Sequence, residues 1–202
     1  RPQDTEVYTP VPPVVTPGAT PTAPPSDATV LFDGKSLDQW VTTRDKSPAK
    51  WEVKDGVIVV AKSGGNIETK KGFKNYQLHL EWRVPTNVTG SGQARCNSGV
   101  FLASTGPADA GYELQILDSY KNDTYVNGQA ASIYKQSPPL VNAARPAGAW
   151  QCYDIVFHAP HFSGATVSEP ARMTVMLNGV LVQDNTTLIG ATVHAKVAHY
   201  EP

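Results

Sequence analysis

Leu78-His79-Leu80-Glu81-Trp82-Arg83-Val84 and Tyr112-Glu113-Leu114-Gln115-Ile116-Leu117-Asp118 are the two stretches that decide the fold. In the first, Leu78, Leu80, Trp82 and Val84 alternate with His79, Glu81 and Arg83. In the second, Leu114 and Ile116 alternate with Glu113 and Gln115. Side chains of a strand point to opposite faces with a period of two, so each stretch reads as a strand with one face in a core. The other face carries acids, amides and a cation, flanked by Trp and Tyr. A plain solvated face is richer in Lys, Thr and Ser; this set suits a polar cleft for a sugar.

The same signals recur on either side. Trp51-Glu52-Val53-Lys54 and Val57-Ile58-Val59-Val60 flank Asp55-Gly56, a two-residue hairpin signature, and Asn178-Gly179 marks a second tight hairpin. Further strands are expected near 66–69, 76–84, 98–103, 111–117, 150–158, 171–177 and 179–183. Val30-Leu31-Phe32 is a short apolar run closed by the turn signal Asp33-Gly34. Helical periodicity is nearly absent. The loops at 85–97 and 118–149 are too long for idle connectors, so they line a site or pack as Ω-loops. The fold class is all-β, two antiparallel sheets packed face to face.

The 202 residues suit one all-β domain, and the 17 basic and 18 acidic residues nearly cancel. No basic cluster points to nucleic acid or an anionic membrane surface, and no apolar run approaches the roughly 18 residues of a membrane span. Residues 1–27 hold eight prolines among Thr, Val, Ala and Ser. Proline fixes φ and lacks a backbone donor, so residues 1–28 are expected to form an extended arm before a domain over 29–202. Such an arm could tether the domain, strap over it, or dock on a second copy to form a homo-oligomer. The two cysteines, Cys96 and Cys152, are either buried free thiols or one disulfide. Asn-X-Thr sequons at Asn87, Asn122 and Asn185 have meaning only in a eukaryotic secretory route.

Taken together, several stretches resemble the bacterial 3-keto-disaccharide hydrolase family, which has the concanavalin A-like lectin/glucanase jelly roll. They are Leu31-Phe32-Asp33-Gly34-Lys35-Ser36-Leu37, Trp51 through Gly56, Leu78 through Arg83, Asn97-Ser98-Gly99-Val100-Phe101-Leu102 and Tyr112 through Tyr120. Ser132-Ile133-Tyr134-Lys135-Gln136, Pro138 through Asn142, Trp150 through Ile155 and Asn178 through Val182 continue in the same order. The resemblance covers roughly residues 29 to 195. It implies a two-sheet antiparallel jelly-roll sandwich, a keto-sugar or oligosaccharide substrate, and a periplasmic or secreted protein whose signal peptide has been removed. Family members carry Gly at the position of Cys96 and a small hydroxyl residue at that of Cys152, so their joint change to Cys implies a disulfide. The resemblance also implies a further strand beyond Tyr200-Glu201-Pro202, where this sequence stops.

The implied reaction needs a base, an acid and donors for an enolate. Glu113 and Glu81 are the candidate catalytic acid and base, on the expectation that they share one hollow; either could instead pair with Arg83. Candidate substrate-binding residues are Arg83, Asn97, Gln115, Asp118, Tyr134 and Lys135. For these the plainer alternatives are an ion-pair partner (Arg83), a turn cap (Asn97, Asp118), a loop brace (Gln115) and a solvated cation (Lys135). Tyr120 and Tyr125 could stack on a pyranose ring, and His79 reads as a base or an edge histidine. No histidine or cysteine pair has ligand spacing in sequence, and no cofactor is implied. A calcium site from Asp118, Asn122 and Asp123 is a secondary possibility. Gly90-Ser91-Gly92 reads as flexible linker. Beside the enzyme stand two further readings: a non-catalytic sugar-binding module, and a secreted assembly protein using the arm and an open sheet edge.

Overall fold

The computed structural model describes residues 1–20, 22–104, 106 and 110–200. Among them the regular structure is strand and short 3-10 turns, and every strand pairing is antiparallel. The chain forms two compact units, Arg1–Lys70 and Lys71–Pro202.

In the first unit, residues 1–17 are exposed and form no strand, with one 3-10 turn over Pro2–Thr5. Strand β1 (Trp40–Thr42) pairs with β4 (Ile67–Thr69), and β2 (Glu52–Lys54) forms a hairpin with β3 (Val57–Val59). Asp55 and Gly56 both have positive φ, 52° and 76°, as a type I′ turn requires. Val30-Leu31-Phe32 makes no strand; the Leu31 carbonyl accepts the Trp40 indole N–H at 2.7 Å. Asp33 Oδ1 accepts the Lys35 and Ser36 amides, which caps the turn at Gly34.

The second unit is a two-layer sandwich. One layer is a four-stranded sheet in the order β12 (Val180–Thr187), β11 (Arg172–Leu177), β8 (Gln151–His158) and β5 (Tyr76–Trp82). The expected Asn178-Gly179 hairpin joins β11 to β12, with φ of 55° and 81°. The other layer pairs β6 (Ser98–Leu102) with β7 (Tyr112–Ile116), and residues 131–134 run along the free edge of β7. There Gln115 N–H donates to Ser132 O, and Tyr134 N–H donates to Glu113 O, both at 3.0 Å.

The alternation read from sequence sets the core. Tyr153, Ile155 and Phe157 of β8 and Met173, Val175 and Leu177 of β11 face Leu102, Leu114 and Ile133 of the other layer. Strand β12 extends to Thr187, further than the sequence suggests, through register shifts against β11. A separate exposed hairpin, β9 (His161–Ser163) with β10 (Thr166–Glu169), carried no apolar alternation and was not expected. Phe157 is fully buried, so Phe157→Ala should lower the unfolding free energy by about 3–5 kcal/mol with an unchanged denaturant slope. Chemical denaturation checks this.

Candidate functional site

The two layers put the two expected catalytic carboxylates on opposite sides of the sandwich. In β5, Leu78, Leu80 and Trp82 pack on the core, so His79 and Glu81 point outward from the four-stranded sheet. In β7, Leu114 packs on the same core from the other layer, so Glu113 and Gln115 point outward from that layer. The expectation that Glu81 and Glu113 share a hollow is therefore corrected. Alternation identifies which residues avoid the core; it is silent on which layer a strand joins.

The β7 face is the richer one. Glu113 and Gln115 are buried although they face away from the core. Gly99 in β6 lies beneath Glu113: a Cβ there would come within 2.5 Å of Glu113 Oε1. A glycine at this position is thus what lets the carboxylate lie flat on the sheet. Gln115 Nε2 donates to Gln93 Oε1 at 2.9 Å, and Asn97 Nδ2 donates to the same oxygen at 3.2 Å. Gln93 in turn donates to Thr124 Oγ1 and Gly128 O. Gln115 Oε1 is buried with no hydrogen-bond partner among the described residues. Buried polar atoms are nearly always paired, so this oxygen is an acceptor in reserve.

Above β7 sits a group of aromatic and cationic side chains. The Tyr125 and Tyr134 hydroxyls are 2.6 Å apart, and Lys135 Nζ lies 3.7 Å from the Tyr125 ring centroid and 5.5 Å from that of Tyr134. His194 meets the Tyr134 ring edge to face at 5.6 Å. Lys135 is held at a positive φ of 64° while its amide donates to Asn127 O, a local strain of the kind that gathers at functional sites. Burial, then the Tyr125 hydrogen bond, then the charges of Tyr125 and Glu113 push the Tyr134 phenol well up, so it stays protonated. Tyr134, Lys135 and His194, with Lys196, line a cavity of about 500 Å³, a volume that suits a small sugar. A hollow of about 470 Å³ at the end of the four-stranded sheet, bordered by His158, His161, Glu169 and Arg172, offers no phenol or indole for a sugar to stack on.

The long loops frame this site without supplying its reacting groups. Asp118 is buried and accepts from Arg95 Nε at 3.0 Å and from a second Arg95 nitrogen, while its other oxygen accepts the Tyr120 amide. These bonds make it a loop anchor. Asn122 accepts from Gly92 N–H at 2.7 Å and donates to Gly92 O and Asp118 O. Gly90-Ser91-Gly92 is accordingly pinned, contrary to its reading as a flexible linker. The same bonds engage the oxygens of Asp118 and Asn122 within the loop. Asn122, buried by these bonds, is a poor glycan acceptor.

On the opposite face, Arg83 lies over the Trp150 ring at 4.7 Å from its centroid, remote in the fold from the β7 cleft. The β5–β8 register sets Glu81 beside Cys152 and His79 beside Asp154. Cys96 and Cys152 are both free thiols, which corrects the expected disulfide. The reason is directional: Cys96 packs against the core cluster, whereas Cys152 alternates with buried Tyr153 and faces outward beside Asp154. Burial, followed by Asp154 and Glu81, pushes the Cys152 thiol up to about 11.

Gln93, Arg95, Thr192 and His194 escaped the sequence reading. Thr192 accepts the Glu113 amide at 3.0 Å and donates its own to Gly111 O at 2.8 Å, fixing the segment that carries His194. Gln93 lies in the 3-10 turn Gly92–Ala94 and the other three in irregular segments, where no strand periodicity marks a side chain's direction.

The model of a 3-keto-alpha-glucoside-1,2-lyase-like domain matches residues 27–200. A 3-keto-disaccharide hydrolase of Bacteroides thetaiotaomicron is 29% identical over 59% of this chain and 49% of its own length. The match thus spans about half the length of that relative. A crystal structure from Parabacteroides distasonis, described as a candidate glycosyl hydrolase, superposes with a TM-score of 0.91 at 47% identity, covering 99% of this chain and 84% of that one. A second such structure from the same organism shares the fold, with a TM-score of 0.58 at 21% identity over 78% and 73% of the two chains.

Two outcomes follow from this geometry. Gly99→Ala should displace the Glu113 carboxylate and cost about 1–3 kcal/mol in chemical denaturation; an unchanged midpoint would show that the carboxylate does not lie on β6. The Cys152 thiol should alkylate slowly at pH 8 and faster as pH climbs towards 11. Asp154→Asn should accelerate labelling at pH 8 by removing one of the charges that hold the proton on.

Proposed function

The chain belongs to the 3-keto-alpha-glucoside-1,2-lyase-like family, and on that premise we propose that it cleaves the glycosidic bond of 3-keto-disaccharides at the cleft on the outer side of β7. The ketone at carbon 3 acidifies the hydrogen on carbon 2. A base removes that proton and the electron pair forms an enolate. The enolate then expels the glycosidic oxygen from carbon 1, an acid protonates the departing oxygen, and an enone remains. Water adds to carbon 1 and a proton returns to carbon 2, so the net change is hydrolysis. Elimination followed by hydration accommodates both a family described as lyase-like and a relative named a hydrolase.

Each requirement has a counterpart at the cleft. Glu113 serves as the base at carbon 2. Tyr134, kept protonated and linked to Tyr125, serves as the donor to the departing oxygen. Lys135, exposed and held against the Tyr125 ring, supplies positive charge for the enolate oxygen. Gln115 Oε1 accepts a sugar hydroxyl, and the rings of Tyr125 and His194 offer surfaces for the pyranose. The observation that carries this reading is the buried Glu113 carboxylate close enough to Tyr134 for its charge to act on that phenol, with Tyr134 and Lys135 lining a sugar-sized cavity. Glu81 has no part in it. Arg83, on the other face, has none either.

We further propose that the protein acts in the periplasm or outside the cell, a reading supported by the family resemblance of its proline-rich start. Fractionation of cells making the full-length gene product tests it, and recovery only in the cytoplasm would overturn it.

With 3-keto-trehalose or 3-keto-sucrose as substrate, Glu113→Gln should lower kcat/KM by about a hundred- to ten-thousandfold, and Lys135→Ala by about a hundred- to a thousandfold. Glu81→Gln should leave turnover unchanged. Wild-type turnover by the Glu113 variant would remove that carboxylate from the chemistry. Sugar binding with no turnover of any 3-keto-glycoside would instead identify a binding module.

A further inference from the structure

On the far side of the sandwich from the cleft, three side chains of different chemistry converge on one point. His79 Nδ1 is 2.7 Å from Asp154 Oδ1 and 3.7 Å from Cys152 Sγ, and Cys152 Sγ is 3.6 Å from Asp154 Oδ2. One donor atom from each lies within 4.8 Å of the other two. They come from β5 and from alternate positions of β8, whose antiparallel register sets His79 against Asp154 and Glu81 against Cys152. No short sequence motif could announce this set, because pairing of β5 with β8 is what assembles it.

We propose that His79, Cys152 and Asp154 form a zinc-class divalent metal site, with the fourth position open to solvent beside Glu81. Zinc takes nitrogen and carboxylate oxygen at about 2.0–2.2 Å and thiolate sulfur at about 2.3 Å, tetrahedrally. Neighbouring donors around such an ion stand roughly 3.3–3.8 Å apart. The two distances to sulfur already fall in that range, and His79 and Asp154 need only part by some tenths of an ångström. A thiolate, an imidazole and one carboxylate are a donor set that suits zinc better than calcium or magnesium, which take all-oxygen shells.

The electrostatics favour an ion over the alternative of a nucleophilic triad. In such a triad the thiol meets one imidazole nitrogen and the acid meets the other. Here both approach Nδ1, so the ring cannot relay a proton between them. The thiol is also held protonated, first by burial and then by Asp154 and Glu81, the opposite of an activated nucleophile. The same surplus of negative charge is what a divalent cation neutralises, and its binding would release the thiol proton. Arg145 is the positive group that acts on Cys152, and it lowers the thiol pKa only as the smallest of the influences.

The test uses the full chain, freed of metal by chelation, titrated with cobalt(II) by absorbance and with zinc(II) by calorimetry. One ion per chain is expected, with a thiolate-to-cobalt charge-transfer band. Cys152→Ser should abolish the band, while Cys96→Ser should leave it intact. His79→Ala and Asp154→Asn should each weaken zinc binding by more than about tenfold, the lower bound for losing even an outer partner of a metal ligand. These side chains are partly exposed, and circular dichroism checks that each variant keeps the fold. Absence of the band in the unaltered chain overturns the proposal. So does a band that survives Cys152→Ser, or zinc affinity indifferent to His79→Ala. Because the readout is metal binding, its failure leaves the proposed glycoside cleavage untouched, and the converse also holds.

Discussion

A buried hydrogen bond ties the core of one layer to the strand that carries Glu113. Tyr153, fully buried in β8, donates its hydroxyl at 2.6 Å to the main-chain carbonyl of Gln115 in β7. A buried phenol needs such a partner, and orphaning a buried polar group costs about 1–3 kcal/mol. The same Gln115 carbonyl accepts the Ala131 amide, and its own amide donates to Ser132 O. Three bonds therefore fix one residue of β7 against both the opposite layer and the neighbouring loop. Glu113 and the Gln115 side chain project from this fixed segment, so their direction follows from packing on the other side of the strand.

Polar side chains tie the loops down at several points. Arg95 clamps Asp118, Asn122 holds Gly92, and Gln93 links Gln115 to the Gly128 carbonyl. Taking such groups out of water is unfavourable unless each finds its partner, and a half-made network is worse than an apolar one. That demand explains why so many of the bonds converge on few atoms. It also explains why Gly128 is a glycine: a Cβ there would fall 2.0 Å from the Tyr125 ring that covers it. Rigid loops of this kind hold Tyr125, Tyr134 and Lys135 in place before any ligand arrives, which lowers the cost of binding.

Much of the fold was legible because local rules sufficed. The Asp55-Gly56 and Asn178-Gly179 turns need positive φ at both central residues, and few dipeptides permit that. Strands β5, β7, β8 and β11 alternate clearly, and their apolar faces form the core. Of the expected site residues, Tyr134 and Lys135 line one cavity, and Glu113 lies close enough to Tyr134 for its charge to act on that phenol. Glu81 and Arg83 did not join them, since period-two patterning looks identical in either layer of a sandwich. Asp118 read as a site residue because its partner, Arg95, lies in a loop 23 positions away. The metal-type cluster was invisible for a related reason: His79 and Asp154 are 75 residues apart and meet only through strand pairing.

The sandwich thus presents two chemically distinct outer faces, each built from residues that the core leaves over. One holds a buried carboxylate whose charge acts on a buried phenol; the other holds an imidazole, a thiol and a carboxylate that are partly exposed. Placing the sugar directly decides which face does the chemistry. A crystal structure of the slow Glu113→Gln variant with a 3-keto-disaccharide should show the sugar in the Tyr134–Lys135–His194 cavity, with carbon 2 within reach of the substituted side chain. Sugar bound instead on the His79–Cys152 face would contradict the account.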